Sequence, residues 1–93
     1  MSIFISLSSL AMDLDRVAIG LHRGSEKMAE RFTEEALKRK REIDMNAVKP
    51  YIKNLLEKME ADLLSEDNGK KAEDALMYST LFQNAALSPN NLL

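Results

Sequence analysis

The 93-residue chain carries 13 basic and 15 acidic side chains, one histidine and no cysteine. At this length only about two-thirds of the unfolded surface is buried on folding, so one domain with a modest core is expected, and association is a common remedy. The near-neutral balance argues against a general electrostatic footprint for nucleic acid, and without cysteine neither a disulfide framework nor a thiolate metal site forms.

From Met1 to Met12 the sequence is apolar. It lacks the basic stretch of a signal peptide, and Asp13, Asp15 and Arg16 end it before it reaches the length of a bilayer span. The reading is a cytoplasmic protein. Ile3, Phe4, Ile5 and Leu7 exceed what a free tail displays, so they are expected to fold back on the domain or to bury in a partner.

Leu10, Leu14, Val17, Leu21, Met28 and Phe32 follow the three-four spacing of one helix face, which Ala36 and Ile43 extend. Ser8 or Ser9 is the expected cap. Glu34 with Lys38 and Glu35 with Arg39 have the favourable order for pairs one turn apart. Gly20 and Gly24 interrupt the pattern, but Leu21 and Met28 keep register across them. The expectation is therefore one long helix over 8–44, with both glycines as a flat packing waist one turn apart. A break there gives a four-helix alternative.

Pro50 disfavours helical geometry at Lys49. A second helix is expected over 47–64, capped by Asn46 or starting at Pro50 itself. Its stripe is Val48, Ile52, Leu55, Leu56, Met59 and Leu63. Ser65-Glu66-Asp67-Asn68-Gly69 reads as a loop, with Gly69 free to turn left-handed. A third helix follows over 70–87, with Ala72, Ala75, Leu76, Ser79, Phe82 and Ala86 inward. Residues 88–93 read as a flexible tail. No strand pattern finds a partner. The fold class is all-α: an antiparallel three-helix bundle with a long first helix, or four helices if that helix breaks.

His22 is the only histidine. With Arg23, Gly24 and Lys27 it supplies the kinds of residue that a phosphorylatable helix histidine needs, and in this it resembles histidine phosphotransfer domains. The spacing departs from theirs, with the glycine two and the lysine five residues after the histidine. His22 with Glu26 falls short of the several ligands that a helical metal site requires, so no metal and no cofactor are expected. The run Lys38-Arg39-Lys40-Arg41 is the densest basic segment, a candidate nucleic-acid contact. Consecutive residues nevertheless fan around a helix, acidic residues surround them, and a helix C-terminus attracts cations by its dipole alone. No phosphate-cradling loop or nucleophile motif is present.

The resulting expectation is a non-catalytic helical interaction or regulatory module. Ile3, Phe4, Leu10, Leu14, Val17 and Leu21 would form its contact surface, most plainly with a second copy in a homodimer, or with another protein. Nucleic-acid binding through Lys38, Arg39, Lys40 and Arg41 is the first alternative, and phosphotransfer at His22 the second.

Overall fold

Four stretches of the chain carry an apolar stripe, and each is a helix: α1 (Ile3–His22), α2 (Glu26–Glu42), α3 (Pro50–Leu63) and α4 (Asn68–Leu87). The computed structural model describes residues 2–88, which contain no strand and extend over 37 × 20 × 19 Å. Of the expected tail, only Ser88 falls within the described residues.

α1 starts earlier than the cap expected at Ser8 or Ser9. The Ser2 hydroxyl accepts the Ile5 N–H at 3.2 Å, and Ile3 is the first helical residue. The cause is burial. A start at Ile3 brings Ile3, Phe4 and Leu7 onto the stripe of Leu10 and Leu14, so the N-terminal apolar segment becomes core rather than tail.

The long helix expected over 8–44 does not form. α1 stops after His22, and Gly24 takes the left-handed conformation at φ 71°. The Ser25 N–H reaches back to the Gly20 carbonyl at 2.8 Å, and the Gly24 N–H to that of Leu21 at 3.2 Å. These paired bonds close the end of a helix on a left-handed glycine. Ser25 then caps α2, its hydroxyl accepting the Met28 N–H at 3.3 Å. Register across Leu21 and Met28 survives because both helices of the hairpin turn an apolar stripe toward the same core.

α2 folds back along α1, and at Gly20 the two helices are in close approach. A Cβ on Gly20 would lie 2.8 Å from the Ala29 backbone nitrogen. The two glycines therefore have separate roles: Gly20 permits the approach, and Gly24 turns the chain.

Asp44 organises the next connection, its carboxylate accepting the Asn46 N–H at 2.9 Å. α3 opens at Pro50, the later of the two expected starts. The Asn68-Gly69 turn does not form either. Asp67 caps α4 through the Lys70 N–H at 3.1 Å, and Gly69 sits in the first helical turn without a positive φ. Asp67 is a strong cap, and it claims the residues after it for the helix.

α1 is the central element, packed most extensively on α4 and on α2, while α3 lies mainly against α4. Phe82, Leu7, Leu10, Leu14, Val17, Ile52, Leu56 and Met59 are fully enclosed. Small residues on both α1 and α4, among them Ala11, Ala18, Ala72 and Ala75, let these helices approach closely. There the buried Ser79 hydroxyl donates to the Ala11 carbonyl at 2.7 Å. Tyr78 stacks on Phe82 with centroids 6.1 Å apart and donates its hydroxyl to Asp62 at 2.6 Å, joining α4 to α3. Burial and then the Asp62 hydrogen bond push the Tyr78 pKa well up, so this phenol stays a donor.

Candidate interaction surfaces

The residues expected to meet a partner divide by burial. Leu10, Leu14 and Val17 are wholly enclosed in the chain's own core, and Ile3, Phe4 and Leu21 pack half-buried against it. An inward stripe is spent on the fold, so this set leaves no continuous face for a second molecule. The correction follows from the broken first helix: α2 folds back and, with α4, covers the stripe that a long straight helix would have left open.

What α1 leaves outward is different. Ile5 is 56% exposed and Met12 55%. α4 adds Leu76, Met77 and Leu87, the last 74% exposed. The two groups belong to neighbouring stretches. The Ser79–Ala11 bond sets the middle of α4 against the middle of α1. Leu21, near the end of α1, lines a groove with Asn68 and Lys71 at the start of α4. The N-terminal half of α1 therefore runs beside the C-terminal half of α4. Neither half carries a charge: no Asp, Glu, Lys or Arg occurs in residues 2–12 or after Asp74. The uncharged ends are legible in the sequence, whereas which of their apolar side chains stay outside the core depends on how the helices pack.

Half of the basic run is engaged within the chain. Arg39 lies 3.8 Å from Asp13 on α1 and 3.7 Å from Glu42, and Lys40 binds Glu60 on α3. Only Lys38 and Arg41 are exposed. The sequence-expected partners of Lys38 and Arg39, Glu34 and Glu35, are not among the ion pairs. Tertiary partners take Arg39 because its side of α2 faces α1. His22 is exposed in the last turn of α1, and among the described residues no group of three histidine or acidic side chains is placed to hold a metal ion.

The α1–α2 seam is unusually polar for a packed interface. Only Ala29 and Ala36 of α2 are fully buried. Phe32 carries two guanidinium groups, Arg16 from α1 and Arg31, each 5.3 Å from its ring centroid. Asp13 Oδ2 and Arg39 Nε are buried and face each other at ion-pair rather than hydrogen-bond distance. Burial pushes the Asp13 carboxyl pKa up; Arg39 opposes this, Glu35 adds to it and Arg16 opposes it.

A groove of about 400 Å³ runs beside α2, closed on its other side by Leu64, Asn68 and Lys71. Leu21, Ala29, Leu37 and the 65% exposed Leu64 make it apolar. Glu26, Glu30 and Glu34 line it from successive turns of α2, and among the described residues none has an ion pair. Like charges one turn apart cost about 0.2–0.5 kcal/mol per pair, so the row slightly destabilises the isolated helix. Lys71 lines the groove from α4.

No family model matches this sequence, and no curated protein or solved structure shows significant similarity to it. Among the described residues no helix is long and apolar enough to cross a membrane.

Proposed function

We propose that this chain is a small non-catalytic helical interaction module, an antiparallel four-helix bundle that self-associates through the outer side of the N-terminal half of α1 together with the C-terminal half of α4. The observation that carries the reading is the uncharged helix pair with Ile5, Met12 and Leu87 turned outward, continued by the exposed Leu76 and Met77 just before the midpoint of α4. Exposed apolar side chains gathered where charge is excluded are the signature of a surface that meets protein. A second copy brings an identical uncharged face, and a two-fold contact buries both at once. The sequence-derived contact moves by a few residues: the same half of α1 is used, but by its outward rather than its inward side chains.

The reading is tested by sedimentation of the wild-type chain beside Ile5→Glu/Met12→Glu. Both positions are exposed, so the substitutions leave the core intact. A dimer that becomes a monomer of unchanged helicity supports the proposal; a monomer in both cases, or a dimer in both, removes it. A cytoplasmic location belongs to the same proposal, supported by the way the N-terminal apolar run gives Leu7 and Leu10 to the core. Nucleic-acid binding is the weaker reading, since Arg39 and Lys40 are already held by carboxylates.

A further inference from the structure

We propose that the groove beside α2 is the docking site for a cationic amphipathic helix of a partner protein, separate from the self-association face. From Glu26 to Leu37 it follows α2 for about 17 Å, three turns of helix. That length suits a docked helix anchored by apolar side chains at three- and four-residue spacing. Leu21, Leu37 and Leu64 offer such anchors an apolar surface, and Leu64 is more exposed than a leucine beside an enclosed groove would be.

Charge decides the kind of helix. Glu26, Glu30 and Glu34 repeat at the rise of one turn, about 6 Å. Lysines or arginines on successive turns of a helix laid along α2 meet them one for one. Among the described residues the three carboxylates have no ion pair to surrender, so docking gains these contacts without breaking others there. Lys71 on α4 gives the site polarity, favouring a partner that is basic on the flank facing α2 and acidic or neutral on the other. An acidic helix would meet repulsion from Glu26, Glu30 and Glu34.

The probe is a labelled peptide of about five helical turns, with leucines along one stripe and lysines along one flank. Its control replaces every lysine by glutamate. Fluorescence anisotropy with the full chain is expected to show binding of the lysine peptide that weakens with salt, and none of the glutamate peptide. Glu30→Gln/Glu34→Gln is expected to weaken binding by about three- to tenfold. Leu64→Asp, at an exposed position that leaves the core intact, is expected to weaken it by about tenfold or more. Circular dichroism checks that each variant keeps the wild-type helix content. Equal binding of both peptides, no binding of the lysine peptide, or variants that bind like wild type would each overturn the proposal. If Leu64→Asp instead converts a dimer into a monomer, the occupant is a second copy and the partner-helix proposal is overturned.

Discussion

Gly20 and Gly24 stand one turn apart in sequence and constrain the chain by different physics. At Gly20 the limit is space, since a methyl group would press on the Ala29 backbone. Gly20→Ala gains about 1 kcal/mol of helix propensity but forces α1 and α2 apart, a strain of about 1–3 kcal/mol. The expected net result in urea unfolding is a loss of up to roughly 2 kcal/mol, and a stabilised variant would contradict the close approach. At Gly24 there is open space and a positive φ. Gly24→Ala is expected to cost about 1–2 kcal/mol through the backbone alone, and Gly24→Asn less. Asp13 adds a pH dependence. Its carboxyl titrates above its ordinary value when folded, so the folded state holds the proton more tightly than the unfolded state does. Its contribution therefore becomes more favourable as pH falls from neutrality through the raised folded pKa, levelling off once pH drops below the ordinary carboxylate range. Measured against Asp13→Asn by urea unfolding over that interval, the wild-type chain should gain stability relative to the variant on acidification; a relative loss would reverse the assigned cause.

At the scale of elements, α2 is the helix held least by apolar burial. Its attachment rests on two buried alanines, the half-buried Phe32 and Leu37, and ion pairs to Asp13 and Glu60, whereas α1, α3 and α4 share the enclosed core. Segments with few buried apolar contacts open at lower free energy. Amide hydrogen exchange should therefore find α2 less protected than the middle of α1 or α4, and equal protection would show that the polar seam is stronger than its contacts imply. The helical stripes and the Pro50 start were legible in the sequence because spacing and proline geometry are local. The break after His22 has a local signal too, in Gly24 followed by the cap residue Ser25, but the register across Leu21 and Met28 points the other way. Local phase does not distinguish one helix from two that share a core. The enclosure of Leu10, Leu14 and Val17 by α2 and α4 was not legible, since it depends on how the chain folds back. The groove likewise needs α2, α3 and α4 in place, although the row of glutamates at four-residue spacing was visible.

For the molecule as a whole, charge is distributed unevenly: all 28 acidic and basic side chains of the two classes lie within residues 13–74. A standard interface takes about 800 Å² from each partner, a substantial part of the 5598 Å² that this chain exposes. Ile5 and Met12 alone do not supply that area, so the account requires the outer residues of α4 in the same contact. The buried stripe is unsuited to test it, because Leu14→Asp places a carboxylate in the core and unfolds the chain before it reports on association. The most direct measurement is sedimentation equilibrium over a range of micromolar concentrations, with the wild type beside Ile5→Glu/Met12→Glu. The account predicts a reversible dimer for the wild type and a monomer of equal helix content for the variant. A wild-type chain that remains monomeric throughout, or a variant that dimerises as well as the wild type, would contradict it.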